Sequence, residues 1–369
     1  MFKEIRIKSY RGLKDIELSD LGQINIIVGE NNSGKTSILE AIQLFDNKDV
    51  LSEMISIAQK RESQFTVGFR GNLLPFDTFL YSFPMKEDVY KEVYLEAYSD
   101  QYGDCRVGVR GEMHRDIFSE EDLLRSEANR YRMYCDEDGF VRVIQGSYLY
   151  ERDTRVCDDF IFSEIQLRPK KEHDSRFNRN LGRKERGIMY ISPMDIYTNK
   201  VISASLYKGM LVEEKQRLLD LLKLFDERVI GIETSVSNGK PITMIELEDC
   251  GLVPLSVFGD GLKKILTLAS AVVKMRDGIV LIDEFETGIH KRALMQVADW
   301  LAAVTERYNV QIFMTTHSSD ALDALVEIED ANNKIRAYRI EHYRDKIYVK
   351  KFYGKDMYSL KNDQGINIL

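Results

Sequence analysis

The segment Gly29–Ser37, GENNSGKTS, constrains the fold more than any other part of this 369-residue sequence. It satisfies the spacing GxxxxGK[ST], and it lies between the apolar run INIIV and the segment ILEAI. In this spacing the glycines let backbone N–H groups curl around phosphate oxygens, and a helix that begins at Lys35 adds the positive end of its dipole. The sequence therefore predicts a strand, a phosphate-binding loop and a helix in succession.

The residues of this loop have predicted roles in holding a nucleoside triphosphate. The Lys35 ammonium is expected to reach the β- and γ-phosphates, which makes it a catalytic candidate, and the Thr36 hydroxyl is expected to ligate Mg²⁺. An ordinary glycine loop is the alternative, but the strand before the loop and the helix after it disfavour that interpretation. The predicted cofactors are ATP and Mg²⁺, and the predicted nucleotide-binding residues are Gly29, Asn31, Asn32, Ser33, Gly34, Lys35, Thr36 and Ser37.

A second motif, GIVLIDEFETG at residues 278–288, places two carboxylates directly after an apolar run. Ligands bind at the carboxyl ends of such strands in open α/β sheets. Asp283 is therefore predicted to bind Mg²⁺ directly or in its second shell, and Glu284 is predicted to polarise the attacking water. The alternative is a pair of carboxylates that only caps the next helix.

A third motif, VQIFMTTHSSD at residues 310–320, ends another apolar strand with His317. A lone histidine is more often structural than catalytic. Here the strand follows the Asp-Glu strand in the chain, so the imidazole is expected to face the γ-phosphate and to act in catalysis. Ser318 or Ser319 is expected to cap the helix that follows.

The order of apolar segments predicts an α/β architecture with a mainly parallel central sheet flanked by helices. Residues 1–48 and 188–369 form the predicted head, and residues 49–187 form a predicted insertion of alternating, strand-like segments. Asn238-Gly239 is the predicted turn of a hairpin. Helices are predicted at 35–45, 212–228, 261–275, 288–307 and 319–327, and strands of the head at 2–8, 23–28, 279–283 and 310–315.

Composition and charge disfavour several classes of protein. A formal net charge of −8 argues against a chain coated with basic charge for wrapping duplex DNA. No apolar run approaches the roughly 20 residues needed to cross a bilayer, and the N-terminus MFKEIRIKSY has no signal-peptide core, so no membrane contact is predicted. Cys105, Cys135, Cys157 and Cys250 form no CxxC pair, which favours a reducing cytoplasm over a zinc or disulfide framework.

Residues 168–187 form a basic segment in which acidic residues are outnumbered. Two interpretations stay open: a surface that contacts nucleic-acid phosphates or a partner, and a solvated loop, which charge runs usually are. Phe177 is the single aromatic ring among Phe, Tyr and Trp here, which weakens a role in stacking on single strands. The basic residues are Arg168, Lys170, Lys171, Arg176, Arg179, Arg183, Lys184 and Arg186.

These motifs resemble those of the ABC-type ATPase heads of the SMC and RecF group, and more closely the ATPase half of OLD-family proteins. The resemblance rests on FKEIRIKSYRGLKDIEL, GENNSGKTSILEAI, FGDGLKKILTLA, LIDEFETGIH and FMTTHSSD, and it covers most of residues 1–48 and 188–369. It implies a P-loop NTPase fold of the ABC-ATPase type with an antiparallel β subdomain and an inserted α+β region. It also implies ATP hydrolysis within an ATP-dependent homodimer or higher homo-oligomer.

Further site roles come from the resemblance alone. Gly259, Asp260 and Gly261 are the implied signature motif, which contacts the γ-phosphate held by the other subunit. The segment Glu286–His290 is the implied loop that couples the two sites, and His317 is the implied switch histidine. Transporter-type signatures carry a serine where this chain has Gly259, which leaves backbone N–H groups for the contact between subunits. We place no glutamine-loop residue between 188 and 205.

The predicted function follows from an ATPase head without a recognisable nuclease motif. OLD-family nucleases carry a TOPRIM domain after the ATPase, whereas 52 residues follow His317 here. We expect an ATPase that senses or regulates a nucleic-acid-directed system, such as anti-phage defence, through a nuclease or toxin effector on a separate chain. The alternatives are a slow nucleotide-gated scaffold for a toxic effector and a RecF-like DNA-repair ATPase; a transporter subunit or a kinase fits less well. For Arg11, nucleotide contact and a plain surface position both stay open.

Overall fold

The computed structural model describes residues 1–65, 76–84, 90–100, 103–117, 140–153, 155–163, 187–197, 212–237, 240–328, 334–344, 346–354 and 356. The chain divides into two compact units. Unit 1 comprises Met1, Asp20–Leu39 and Arg186–Leu369, and unit 2 comprises Phe2–Ser19 and Glu40–Glu185. These compact units differ from the predicted head and insertion near residues 2–19 and 40–48. The predicted domain boundaries stay a prediction.

Along the chain, the helices and strands of the described residues belong in turn to unit 2 and to unit 1. The helices are α1 (Lys35–Gln43), α2 (Val50–Phe65), α3 (Phe76–Leu80), α4 (Val212–Lys223), α5 (Asp260–Lys274), α6 (Lys291–Tyr308) and α7 (Ser319–Val326). The strands are β1 (Glu4–Tyr10), β2 (Leu13–Ser19), β3 (Ile24–Gly29), β4 (Tyr90–Tyr98), β5 (Cys105–Ile117), β6 (Phe140–Glu151), β7 (Arg155–Ser163), β8 (Ile188–Ile191), β9 (Val229–Ser237), β10 (Lys240–Leu247), β11 (Gly251–Pro254), β12 (Ile279–Ile282), β13 (Gln311–Thr315), β14 (Ile335–Tyr343) and β15 (Lys346–Tyr353).

The central sheet of unit 1 has the strand order β15-β14-β3-β13-β12-β8. All neighbouring strands from β14 to β8 pair in parallel, and only β15 runs antiparallel to its neighbour. The strands β3, β12 and β13 are buried at every residue, as expected when helices cover both faces of a parallel sheet. This arrangement confirms the predicted α/β fold class, and it brings the carboxyl ends of β3, β12 and β13 to one edge.

A second, three-stranded sheet in unit 1 has the order β11-β10-β9 and is antiparallel throughout. The pairing of Ser237 with Lys240 confirms the predicted hairpin. Its turn at Asn238-Gly239, the basic residues 168–186, Cys135 and the tail 357–369 lie outside the described residues. Among the helices that are described, none is long and apolar enough to cross a membrane.

Unit 2 is built on a six-stranded antiparallel sheet with the order β2-β1-β4-β5-β6-β7. Strand β1, predicted at residues 2–8, pairs with β2 on one side and with β4 on the other, so it belongs to this sheet and not to the parallel one. Helices α2 and α3 were not predicted. The buried positions Val50, Leu51, Met54 and Ala58 of α2 follow helical spacing. This periodicity could have predicted α2, but the strand-like alternation that follows it in the sequence led us to predict strands.

Arg11 lies in unit 2 and is buried, so the alternative of a plain surface arginine is wrong. Its φ is 53°, and its Nε donates to Oε2 of Glu40 at 2.9 Å. Arg61 binds the other oxygen of the same carboxylate at 2.6 Å. The Glu40 carboxylate is therefore shared by two guanidinium groups, and Arg11 contributes to the packing of unit 2.

Candidate functional site

The loop between β3 and α1 has the backbone conformation that a phosphate cradle needs. Gly29 and Gly34 have φ values of 149° and 94°, and Asn32 has a φ of 64°. A Cβ at Gly29 would lie 2.7 Å from the carbonyl oxygen of Ile340 and 2.8 Å from Oγ of Ser33. Only glycine combines this φ with this close approach. The loop therefore forms a tight turn at the N-terminus of α1, where backbone N–H groups can bind an anion.

Lys35 is buried and directs its charge into this loop. Its Nζ donates to the carbonyl oxygens of Gly29 and Glu30, each at 2.7 Å. Burial lowers the pKa of Lys35, while Asp283, Glu284 and Glu286 oppose that shift by favouring the charged form. The ammonium thus lies between the loop and an acidic cluster, in the position where a triphosphate would meet it.

Asp283 collects three hydroxyl donors from separate parts of unit 1. It follows β12 and is buried, and its carboxylate accepts from Thr36 Oγ1 at 3.0 Å, Thr315 Oγ1 at 2.6 Å and Tyr190 OH at 2.9 Å. These bonds fix the carboxylate directly beside the first turn of α1. Thr36 and Asp283, each predicted to bind Mg²⁺, therefore lie side by side, while their role as ligands stays a prediction.

The oxygen atoms of Thr36 and Asp283 fit a magnesium ion that is also bound by phosphates. Mg²⁺ prefers hard oxygen ligands and usually binds through one or two carboxylates plus substrate phosphates and water. Across the described residues no group of three or more His, Cys, Asp or Glu side chains could hold a metal by itself. The donor set thus suits an ion that arrives with a nucleotide, and Thr36 and Asp283 would hold it.

Glu284 has a strained backbone that its neighbours hold in place. Its φ of 49° lies in the left-handed region, which costs a non-glycine residue on the order of 1–2 kcal/mol. Its N–H donates to Thr315 Oγ1 at 2.8 Å, and its carbonyl accepts from Lys264 Nζ at 3.1 Å. Its carboxylate accepts from the Thr287 hydroxyl at 3.0 Å. The N–H, the carbonyl and one carboxylate oxygen of Glu284 are therefore held by neighbours, which suits a residue that must aim its carboxylate.

His317 follows β13, the strand next to β12 in the sheet. The residue is exposed, and its backbone N–H donates to Oε1 of Glu286 at 2.8 Å. The helix α7 begins two residues later, and Ser318 is its cap because Oγ accepts from the N–H of Ala321 at 3.2 Å. The capping prediction is confirmed for Ser318. The structure places His317 at the same sheet edge as Asp283, while its role stays a prediction.

The predicted signature residues form the start of α5. Gly259 is the N-cap with φ −66° and ψ 166°, and it offers no side chain to cap the helix. Asp260 Oδ2 accepts from the Tyr197 hydroxyl at 2.6 Å. A Cβ at Gly261 would lie 2.9 Å from the carbonyl oxygen of Gly288 and would overlap the ring of Phe225. The first turn of α5 is thus packed directly on the loop that follows Glu284, and a cavity of about 850 Å³ opens beside it.

Sequence reasoning missed several residues that contact this site. Thr315 was part of a quoted motif, and its hydroxyl at a strand end was the available signal. Tyr190 and Tyr197 lie in the region where a glutamine loop was sought, and residues 188–205 contain no glutamine. His342 lies with Nε2 3.1 Å from the carbonyl oxygen of Ser33, and only the pairing of β14 with β3 brings it there. Lys264 is buried, although a lysine in a helix is usually exposed.

Comparison with known families places this geometry in context. A family model described as "AAA domain, putative AbiEii toxin, Type IV TA system" matches residues 110–323, which is more than half of the chain. The chain belongs to this family. A second model, described as "AAA ATPase domain", matches residues 1–93 of this AAA-family protein and includes the phosphate loop.

Individual proteins resemble the AAA-family chain to different extents. An "ATP/GTP phosphatase" of Helicobacter pylori is 22% identical over 385 aligned positions, which cover 99% of this chain and 100% of that protein. The DNA replication and repair protein RecF of Bacillus cytotoxicus is 49% identical over 39 residues, 11% of this chain and 10% of RecF. A crystal structure of an SMC head bound to the C-winged helix domain of ScpA covers 96% of this chain and 99% of its own at 10% identity, with a TM-score of 0.45.

These matches confirm the predicted resemblance to ATPases, and a short stretch of the chain resembles RecF. They support an ATPase domain whose nucleotide is ATP, with Mg²⁺ as its usual companion. Membership of the OLD family stays a prediction.

Proposed function

We propose that this AAA-family protein binds ATP with Mg²⁺ and hydrolyses it. The observation that carries the proposal is the convergence of Lys35, Thr36 and Asp283, with the strained Glu284 beside them. Loop, hydroxyl and carboxylates come from distant parts of the sequence and meet at one edge of the parallel sheet. A pair of carboxylates that only capped the next helix would not need the left-handed backbone of Glu284 or its three contacts.

Each of these side chains has a distinct task in the proposed reaction. Lys35 and the loop N–H groups bind the β- and γ-phosphates and stabilise the charge that develops there. Thr36 and Asp283 hold the magnesium ion, which neutralises phosphate charge when bound. Glu284 orients and polarises the attacking water. His317, at the neighbouring strand end, is proposed to contact the γ-phosphate from the side of β13.

Exchange of Glu284 for glutamine tests this assignment. Glu284→Gln keeps the shape of the side chain and removes the base, so turnover should fall about 10²- to 10⁴-fold while ATP affinity is retained. Glu213→Gln is the matched control. This side chain, on α4, is 84% exposed, and its ion pair with Arg307 is long, at 4.0 Å. Turnover of the Glu284→Gln protein at the wild-type rate would contradict a catalytic role of Glu284. Slow turnover in the wild type would favour the second proposed function, a nucleotide-gated scaffold.

The same proposal includes a dimer that closes around ATP. The N-terminus of α5 carries no side-chain cap, and its first turn includes Asp260 and Gly261. The positive end of this 15-residue helix can bind a γ-phosphate presented by a second copy of the chain. The Glu284→Gln protein should therefore elute as a dimer or larger homo-oligomer with ATP and as a smaller species with ADP, as measured by light scattering. An identical mass with both nucleotides would contradict the dimer.

We further propose that the ATPase regulates a defence system, in the cytoplasm, through a separately encoded nuclease or toxin. The description of the matching family, which includes a toxin of a toxin–antitoxin system, supports this proposal. Purification of tagged Glu284→Gln protein from its native host, followed by mass spectrometry, should recover the effector. Recovery of the chain alone, with and without infecting phage, would argue against it.

The proposed nucleic-acid contact through residues 168–187 is tested by charge reversal there and by the salt dependence of binding.

A second function, a slow nucleotide-gated scaffold, is favoured by one observation. Gly259 stands where transporter-type signatures carry a serine, so no hydroxyl is available to the partner's γ-phosphate. Such a protein would bind and release its effector with the nucleotide state and would turn over more slowly than about 1 s⁻¹. Faster turnover, stimulated by DNA without a partner protein, would exclude the scaffold and favour a RecF-like role in repair.

A further inference from the structure

Lys264 is a buried cation whose ammonium contacts the backbone of Glu284. It lies on α5, it has no exposed surface, and its Nζ donates to the carbonyl oxygen of Glu284 at 3.1 Å. Among the lysines that the structure describes, only Lys35 and Lys264 are buried. Burying an ammonium group is costly, so a buried lysine is expected to have a specific partner. Here the partner is the peptide group that follows the proposed catalytic residue.

The contact is placed where it can fix the orientation of Glu284. Residue 284 has a left-handed backbone, and its carbonyl direction sets the plane of the next peptide. Thr315 holds the N–H of Glu284, and the Glu284 carbonyl accepts from Lys264 Nζ and from the backbone N–H of Thr287, each at 3.1 Å. Since these bonds flank one Cα, they fix the direction in which the Glu284 side chain leaves the backbone. Lys264 is the partner from α5, and its loss would weaken the hold on the strained conformation.

The same contact links the signature turn to Glu284. Lys264 lies one helical turn after Asp260, and residues four apart share a helix face. Gly288, at the far end of the loop, packs against Asp260: a Cβ on Gly288 would lie 3.3 Å from that of Asp260. The loop from Glu284 to Gly288 is therefore held by α5 at both ends. A shift of α5 would move the Glu284 carbonyl with it.

We propose that Lys264 is a positioning residue that makes the hydrolytic competence of Glu284 depend on the position of the signature helix. The proposal rests on the proposed ATPase function. Lys264 touches no nucleotide in this scheme; it acts by holding the Glu284 peptide group. When a second subunit presents its nucleotide to the N-terminus of α5, Lys264 transmits the position of that helix to the glutamate of its own subunit.

The test compares Lys264→Met with Lys274→Met. Methionine keeps an unbranched chain and removes the donor, and Lys274 is an exposed lysine on the same helix. Loss of correct placement should lower kcat about 10- to 100-fold in Lys264→Met, with the KM for ATP unchanged and ATP-dependent dimerisation retained. A merely structural role would instead lower thermal stability and ATP binding together. Lys264→Gln, whose donor is one atom shorter, serves as a second variant should the methionine variant fail to fold.

Amide hydrogen exchange provides a readout that does not depend on turnover. In nucleotide-free protein, residues 284–290 should exchange faster in Lys264→Met than in Lys274→Met or the wild type. If the wild type shows no ATP turnover, the proposed function fails, and the exchange result still decides separately whether Lys264 positions residues 284–290. A kcat within about twofold of an active wild type, or unchanged exchange in residues 284–290, would overturn the positioning role.

Discussion

The Thr36 hydroxyl donates to the Asp283 carboxylate at 3.0 Å, although 247 positions separate the two residues in the sequence. Thr36 is in the first turn of α1, after β3, and Asp283 follows β12. One strand, β13, lies between β3 and β12 in the sheet, and its last residue, Thr315, donates to the same carboxylate. The contact thus joins three strand ends, and it defines where a magnesium ion would bind.

Replacing Thr36 with valine should uncouple magnesium from nucleotide binding. The variant keeps the shape of the side chain and loses the hydroxyl, so Mg²⁺ affinity in the presence of ATP should fall about 10- to 100-fold. Affinity for ATP in the presence of EDTA should change little. Calorimetric titrations measure both quantities, and Thr234→Val, on an exposed position of β9, is the control. Equal Mg²⁺ affinity in the two variants would argue that Thr36 is no ligand.

Replacing Thr315 with valine should cost both stability and turnover. Its hydroxyl donates to Asp283 at 2.6 Å and accepts from the Glu284 N–H at 2.8 Å, so valine leaves two polar groups without this partner. The free energy of unfolding should fall by about 1–3 kcal/mol. Urea denaturation measures this, with Thr305→Val as control because that buried hydroxyl only donates to a helix carbonyl. A smaller loss in Thr315→Val than in Thr305→Val would contradict the bridging role.

Alanine at the two signature glycines should have unequal effects on stability. At Gly261 a Cβ would overlap the Phe225 ring and approach the Gly288 oxygen to 2.9 Å, so Gly261→Ala should destabilise the fold by about 1–3 kcal/mol. At Gly259 no atom lies within 4 Å of a Cβ, and φ is −66°. Gly259→Ala should therefore cost less than about 1 kcal/mol, because alanine caps a helix less well than glycine while it also lowers the entropy of the unfolded chain. Thermal unfolding of the pair would contradict this packing if both variants lost stability equally.

A charge at Gly259 should separate helix capping from dimerisation. Aspartate and serine both cap helices well, so Gly259→Asp and Gly259→Ser should each stabilise the protein relative to Gly259→Ala. Only the aspartate would repel a γ-phosphate presented by a second subunit. In the Glu284→Gln background, light scattering should show that the serine variant dimerises with ATP and the aspartate variant does not. Dimers of both variants would mean that α5 does not face the partner's nucleotide.

The pH dependence of stability should reveal the buried state of Lys264. Burial lowers its pKa to about 8, against the opposing effect of the nearby carboxylates of Glu286, Asp283, Glu284 and Asp195. The unfolded chain therefore binds more protons than the folded protein between about pH 8 and the ordinary lysine pKa near 10.5. The contribution of Lys264 to the free energy of unfolding is therefore fully present above pH 10.5 and is lost as the pH falls through about 8.

Comparison with Lys264→Met isolates the contribution of Lys264 to the pH dependence of the free energy of unfolding. The free energy of unfolding of the wild type relative to the variant should grow by roughly 3 kcal/mol as pH rises across that window. Denaturant titrations at several pH values measure the difference, and the wild type relative to Lys274→Met should show no comparable change. A flat difference for Lys264→Met would mean that the ammonium keeps its ordinary pKa.

Local sequence was sufficient for the elements that carry the site. The strand, loop and helix around Gly29–Thr36 were predicted because glycine, lysine and threonine at this spacing set the backbone conformation and the charge within eight residues. The carboxylates after β12 and the Ser318 cap followed in the same way, since apolar runs and capping residues act on their own neighbours. The assignment of β1 to an antiparallel sheet did not follow, because pairing with Tyr90–Tyr98 is a contact across the chain.

The sequence by itself determined which chemical groups are available to the proposed triphosphate site: the glycine loop with Lys35 and Thr36, and the carboxylates of Asp283 and Glu284. Only the tertiary structure decided which groups hold them. Tyr190, Thr315 and Lys264 contact the acidic pair because the sheet order and the packing of α5 place them there. The physical reason is that a motif records interactions within a few residues, whereas burial of a lysine or a hydroxyl depends on which distant strands and helices surround it.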